Sequence, residues 1–283
     1  MLRPTACLSV LFSTLAAPAI AQDDGAFEIE LRGRLFLDVA SIDESFTGLT
    51  DDFTDTEART ARIGVQGGWR NWSYTAEADF AGDSIVLKDV FASWSNNGVT
   101  VRLGHFKTPN SIEHLTSSRY TTFMERAQPD DAFRYGRRLG VTVARSGDNY
   151  SLTGGVFGGG VGDDSTGFHV SDSMTVAGRA TFAPVLTDTR NVHLAIHARY
   201  YDAGNDGSES VRMRSRAGVH LADRYVDARP AGQTSQLVGI EAAWIEGPFH
   251  ALFEAGVEDP EGGETVHAAS LTTGWYITGE QRS

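Results

Sequence analysis

The chain has 283 residues, a formal net charge of −13 and a single cysteine, Cys7. That acidic balance counts against nucleic acid as a partner, and one early cysteine leaves no disulfide framework to staple a secreted scaffold. Only two of the 24 basic residues, Lys88 and Lys107, are lysines. The excess of arginine favours planar, permanently charged donors suited to oxyanions, although a GC-rich genome enriches arginine by itself.

The first stretch reads as a targeting signal. Arg3 supplies the positive region, residues 8–19 the apolar one, and Ala19, Ile20 and Ala21 a small-residue cleavage site. Residues 1–21 are therefore set aside as a signal peptide, and residues 22–283 are expected to form one domain. Beyond Ala21 no run of about 18 apolar residues exists to make a membrane-crossing helix. Membrane residence then requires a closed barrel.

Residues 27–39 alternate strictly. Phe27, Ile29, Leu31, Leu35, Leu37 and Val39 fall on one face, with Glu28, Glu30, Arg32, Arg34 and Asp38 on the other. This is a strand with an apolar and a charged wall, and a porin-type barrel turns the first toward lipid and the second toward water. The pattern returns over 59–67, 72–80, 85–94, 99–103, 139–144, 150–157, 174–182, 192–200, 237–244, 249–257 and 267–277. About twelve strands of bilayer-crossing length result. Trp72, Tyr74, Trp94, Tyr200 and Trp275 lie near strand ends and read as interfacial girdle residues.

Connections alternate between short and long. Short ones fall at 68–71, 95–98, 146–149 and 246–248, with a moderate one at 183–190. Longer ones fall at 40–58, 105–138, 158–173, 202–235 and 258–266, and residues 81–84 are the one short link on the long-loop side. The alternation matches periplasmic turns and extracellular loops. It also decides how to read Arg212, Arg214 and Arg216, which share one face of an extended stretch. Counting that stretch as a barrel strand breaks the parity; placing it in the loop 202–235 preserves it. The row is expected to be an extended segment carried by a loop and folded toward the lumen.

The chain also resembles the phosphate-selective porin O and P family. The resemblance rests on Gly104 to Pro109 (GHFKTP), on Leu115 to Arg119 with Glu125 and Arg126, and on Arg59 to Arg62 leading to Gly67. The alternating arginines before Gly218, the run Phe182, Ala183, Pro184 and the run Tyr276 to Glu280 add to it. It implies a transmembrane antiparallel β-barrel of the outer-membrane porin type, all-β, sixteen-stranded and trimeric, whose arginine ladder leads small anions to a constriction. About twelve strands are present here, so the barrel is expected to be incomplete at the C-terminus. By the resemblance, Arg212, Arg214 and Arg216 are ladder residues, with His220 where a fourth arginine is expected; with a pKa near 6.5 it is a weaker or pH-dependent rung. The loop 105–138 should fold inward, bringing Lys107, Arg119 and Arg126, with His114 standing near a family lysine position.

Strand parity puts Arg62 in the lumen and Arg59 on the opposite wall near a strand start, where it can line the mouth. Other candidates are weaker. The acidic run 51–57 lacks the glycine and spacing of a calcium loop. Gly158 to Gly160 lacks the Lys-Ser/Thr of a phosphate loop. His193 and His197 show no third metal ligand. Neither a Ser/His/Asp nor a Cys/His arrangement can be argued from spacing, so an enzyme is not expected, and no cofactor. The leading expectation is an outer-membrane porin for passive diffusion of small anions, phosphate or related oxyanions among them, in contact with outer-membrane lipid. A non-selective diffusion porin and a secreted soluble β-sandwich binding protein are the alternatives.

Overall fold

The computed structural model describes residues 7–12, 27–42, 53–133, 135–161, 171–206, 209–216 and 218–282. The first strands are β1 (Cys7–Phe12), β2 (Glu30–Ile42), β3 (Phe53–Trp69), β4 (Trp72–Asp79), β5 (Val86–Asn96) and β6 (Val99–Lys107). Two short helices follow, α1 (Ile112–Leu115) and α2 (Gln128–Ala132). Then come β7 (Arg137–Ser146), β8 (Tyr150–Phe157), β9 (Met174–Leu186), β10 (Arg190–Asp202), β11 (Met213–Arg216) and β12 (Arg224–Ala228). The last are β13 (Thr234–Glu246), β14 (Phe249–Pro260) and β15 (Val266–Trp275).

Thirteen strands make one antiparallel sheet in the order β1 to β10, then β13, β14 and β15, while β11 and β12 form a separate hairpin. Each neighbour in the large sheet is also a neighbour in sequence, except where the β11–β12 hairpin intervenes. That is the up-and-down connectivity of a barrel wall. Twelve of the thirteen strands coincide with the alternating stretches of the sequence. The thirteenth, β1, lies inside the segment read as a targeting signal and pairs with β2 from Cys7 against Ala40 to Phe12 against Leu35.

Polarity is inside out. Ile63, Leu103, Ile196 and Leu271 are each more than 60% exposed, while Glu77, Glu241, Glu254 and Glu258 are at most 5% exposed. A soluble sandwich would bury the first set between two sheets. One continuous sheet with apolar residues outward does not fit the β-sandwich alternative. Aromatic rings mark the end of the sheet where the short turns lie: Trp69 pairs with Trp72 and Trp72 with Trp94, Phe27 stacks on Tyr74, and Phe249 stacks on Trp275. Tyr200 stands at the opposite end. The short turns use the chemistry such hairpins need. Asn97 and Gly98 both have positive φ, 47° and 74°, as a two-residue primed turn requires.

The observed strands extend beyond the alternating stretches at their long-loop ends. The described parts of the connection expected over 40–58 are strand, because β2 continues to Ile42 and β3 begins at Phe53. The acidic run 51–57, expected within that long connection, is thus strand from Phe53 onward; Asp51 and Asp52 lie outside the described residues. A β-bulge hides that extension from a parity argument. Thr60 pairs with Phe36 and Ala58 with Leu37, leaving Arg59 as the extra residue.

Residues 108–133, 135 and 136 lie across the concave side of the sheet. Arg34 on β2 donates to Ser117 and Ser118 at 3.1 Å each, and Arg59 on β3 bonds Glu125 at 2.7 Å. On the far side, Tyr135 meets His197 of β10 at 3.0 Å, and the Glu113 amide donates to Glu254 of β14 at 2.9 Å. One loop touching β2, β3, β10 and β14 requires the sheet to wrap around it.

Candidate anion pathway

The inward loop is held by its own polar groups. Ser111 caps α1 by accepting from the His114 amide at 3.1 Å. Two cations take the carbonyls that α1 leaves unpaired. Lys107 donates from its ammonium to the oxygens of His114 and Thr116, and Arg126 donates to those of Glu113 (3.0 Å) and Thr116 (2.7 Å). The His114 ring is buried against Asp130 with Nδ1 at 2.9 Å. Burial outweighs the carboxylate and pushes the imidazole down to about 4, so it is neutral at ordinary pH.

The arginine row sits on the hairpin of β11 and β12, carried by the loop between β10 and β13, where connection parity places it. Its base pairs are Met213 with Ala228, Arg214 with Asp227, Ser215 with Val226 and Arg216 with Arg224. Tyr225 is the extra residue of a bulge and turns its hydroxyl to Ser215 at 2.8 Å. Met213 and Ser215 are buried, whereas Arg214 and Arg216 are half-buried. Ser215 bonds Gln128 of α2, and Gln128 returns a bond to the Arg216 carbonyl at 3.1 Å. The hairpin is therefore stitched to the inward loop.

Each rung meets a different environment. Arg212 forms a two-point pair with Asp227, with Nε at 2.5 Å. Arg214 lies 3.6 Å from Asp131. Arg216 donates to the carbonyl of His220, whose Nδ1 is 2.9 Å from Glu57 on β3. Arg62 faces the lumen, bonded to Asp79 at 2.8 Å and Glu77 at 3.1 Å. Glu77 also takes Arg34 at 3.0 Å.

Arg59 departs from the parity reading. The bulge turns it to the same side as Thr60, where Asp38 (2.8 Å), Glu125 (2.7 Å) and the Met124 carbonyl (2.8 Å) hold it over the ring of Phe36. Arg119 is exposed, with its guanidinium over Tyr120 at 5.5 Å. Lys107 is drawn into the base of the loop, so its charge holds α1 in place. The structure thus brings together Arg59, Arg214, Arg216 and His220, and leaves Arg212, Arg119, Lys107 and Arg62 outside that group.

Those four line a cavity of about 220 Å³ between the inward loop and the hairpin. Arg126 and Arg224 complete its cationic side, against three carboxylates, Glu125, Asp130 and Asp131. Five arginines and three acids line the cavity, with Asp38 and Glu57 behind Arg59 and His220, so arginine is concentrated here although the chain is strongly acidic; local charge governs what enters. Arg224 escaped the sequence reading because β12 has only five residues and no alternation. Elsewhere on the wall, His193 and His197 do converge, 3.6 and 3.2 Å from Glu241. Arg179 bonds both oxygens of that carboxylate, at 2.9 and 2.7 Å. Among the described residues, no group of three or more His, Cys, Asp or Glu has the arrangement to hold a metal.

An apolar-out antiparallel wall, a charged lumen and an inward loop define a porin-type transmembrane barrel. The sequence matches the family described as "Phosphate-selective porin O and P" over residues 29–280, and the chain belongs to that family. It is similar to an uncharacterized protein of Caulobacter vibrioides, 27% identical over 290 residues, covering 94% of this chain and 56% of that one. It is also similar to Porin O of Pseudomonas aeruginosa, 24% identical over 312 residues, covering 96% of this chain and 69% of the other. The chain spans little more than half of the first relative and about two thirds of the second.

Proposed function

We propose that the chain forms a passive diffusion pathway for small anions, with phosphate or a related oxyanion as the favoured solute. It acts as a homotrimer in the outer membrane of a Gram-negative bacterium, exported with residues 1–21 as a cleaved signal. The observation that carries this reading is the arginine-lined cavity at the meeting of the inward loop and the arginine hairpin. Guanidinium groups replace the hydration of an oxyanion with charge-assisted, two-point hydrogen bonds. The partner carboxylates keep each site shallow: an anion gains one arginine only against the pull of Asp227, Asp131 or Glu125. Several moderate sites in series let an anion step onward, and no single one traps it.

Reversal potential in planar bilayers under a potassium chloride gradient tests this directly. Anion preference is expected, and cation preference overturns the reading. The triple variant R212A/R214A/R216A should lower anion conductance at low salt; unchanged conductance reduces the row to surface charge. The neutralised wall favours one second reading, a diffusion porin with weak selectivity. Arg34, Arg62, Arg179 and Arg199 all sit on buried carboxylates. Equal permeability to chloride and phosphate would select it.

A further inference from the structure

One turn of the outer wall breaks a rule its neighbours keep. Trp69, Arg70, Asn71 and Trp72 close the β3–β4 hairpin at the short-turn end, which is periplasmic in a barrel of this kind. The turn between β5 and β6 meets its positive φ with Asn97 and Gly98, and the turn between β13 and β14 with Gly247. In the β3–β4 turn an arginine takes that place. Arg70 has φ 54°, in the left-handed region that crowds the Cβ of any residue but glycine. The Asn71 carbonyl accepts from the Ser95 amide at 2.8 Å, so β5 braces the turn. The strained residue sets its guanidinium 4.6 Å from the ring centre of Trp69. It is exposed and makes no ion pair among the described residues.

Trp69 opens a shelf on the lipid side. It pairs with Trp72, Trp72 with Trp94, Trp94 with Val101 and Val101 with Val143, one residue from each strand of β3 to β7. At about 4.8 Å per strand spacing the row runs about 19 Å. The indole N–H groups of its tryptophans have no acceptor among the described residues, and an interfacial tryptophan gives that donor to water or a lipid oxygen. Arg145, two residues beyond Val143 on the same face, bounds the far end and gives one N–H to the Asn97 carbonyl at 2.7 Å. No outward residue at this end of β3 to β7 is acidic. Glu28 and Glu30 belong to the opposite, water-facing wall, and Asp148, in the turn after Arg145, makes no ion pair among the described residues.

We infer that Arg70 and the tryptophan shelf form a docking site for an anionic phospholipid of the periplasmic leaflet. The phosphodiester meets the guanidinium, which keeps donors along its edge while its face lies on Trp69. The indole N–H groups reach the ester oxygens, and the acyl chains lie over the rings and the valines beyond them. A zwitterionic lipid brings the same phosphate but adds an ammonium that finds no carboxylate on this face, so a lipid of net negative charge is preferred. A bound phosphate gives the strained backbone at Arg70 a use: the turn spends conformational freedom to hold a cation at the headgroup level. The site lies on the outer wall and does not rest on the anion-pathway reading.

The test is tryptophan quenching by acyl-brominated lipid, with the full chain in phosphatidylcholine vesicles carrying rising fractions of phosphatidylglycerol. Trp244→Phe and Trp275→Phe leave the shelf as the source of the signal, and folding is checked by heat-modifiable gel migration. The parent should favour phosphatidylglycerol over phosphatidylcholine about fivefold, the attraction of one arginine near a lipid surface. R70A and R70G should each bring that ratio below about 1.5. Because R70G also relieves the turn, a lost preference in that well-folded variant separates lipid binding from turn geometry. R70K keeps a point charge but loses the planar stack, and should fall between R70A and the parent. R190A removes an exposed arginine at the same end whose charge Glu246 meets at 3.6 Å, and should stay within about 1.5-fold of the parent. At about 1 M salt the parent's preference should collapse. Inorganic phosphate at equal ionic strength should not displace the lipid, since it has no chains to lie on the shelf. The inference is overturned if the parent shows no preference, if R70A and R70G retain it, if R190A matches R70A, or if inorganic phosphate abolishes it. Reversal potential tests the pathway and lipid preference tests this site, so either reading can fail alone.

Discussion

Glu209→Gln should loosen the loop that carries the arginine hairpin while leaving the barrel wall standing. The Glu209 carboxylate accepts from Arg138 (2.8 Å), the Ser171 hydroxyl (2.7 Å), the Ser173 hydroxyl (3.0 Å) and the Tyr201 hydroxyl (2.8 Å). These donors come from the root of β7, the end of the loop before β9, and β10. The Arg138 guanidinium and three hydroxyls outweigh the cost of burial and hold the carboxyl down to about 2, from an ordinary 4.5. A depression of that size corresponds to about 3 kcal/mol, at about 1.4 kcal/mol per pKa unit. Glutamine keeps the shape but loses the charge and turns one oxygen into a donor facing donors. The expected loss is therefore about 2–3 kcal/mol of local stability. Because the folded pKa is depressed, this contribution is complete above pH 4.5 and fades as pH falls toward 2. Amide hydrogen exchange over residues 171–173 and 201–206 reads it: protection should drop on the order of 30- to 100-fold in the variant at pH 7. Protection in β4 and β5 should not change. Equal protection of both segments in parent and variant would refute the argument that this carboxylate ties the loops together.

Three more outcomes follow from the geometry. In Glu125→Ala, Arg59 keeps Asp38 and the Met124 carbonyl but loses its charged loop partner, so low-salt anion conductance should rise about two- to threefold and converge with the parent near 1 M salt, where screening acts within about 3 Å. In Gly239→Ala, the added methyl would sit 2.3 Å from the His197 imidazole, pushing it off Tyr135; overpacking of this kind costs about 1–3 kcal/mol and should appear as faster exchange across α2. His114, held near 4 by burial, is neutral when folded but takes up a proton when its loop opens below pH 6.5. Its contribution is thus full above pH 6.5 and lost as pH falls toward 4. Exchange over residues 112–116 should accelerate across that window, and His114→Asn should flatten the dependence.

The wall was legible because its requirement is simple: period-two alternation with lipid on one side and water on the other. Connection lengths added the next level, moving Arg212, Arg214 and Arg216 off the wall and into a loop, where β11 is found. What alternation could not show was anything that breaks its own period. The bulge at Arg59 adds one residue to β3, reverses the facing of that side chain and conceals the strand beyond it. The partners of the arginines were also hidden. Asp131 is 83 positions from Arg214 in the chain and Glu57 is 163 from His220, so only the wrapped sheet brings them together. Lys107 illustrates the reverse error: a cation in the expected stretch serves the carbonyls of α1, because a strand end pointing into a helix terminus is a backbone contact that composition does not encode.

The loop between β6 and β7 has a mechanical consequence. Its polar bonds to β2 and β3 on one side and to β10 and β14 on the other make it a brace across the concave face of the sheet. A curved sheet tied across its concave face resists being opened or flattened, and any such bending is transmitted to the loop. The curvature of the wall and the position of the loop that narrows its concave side are therefore coupled.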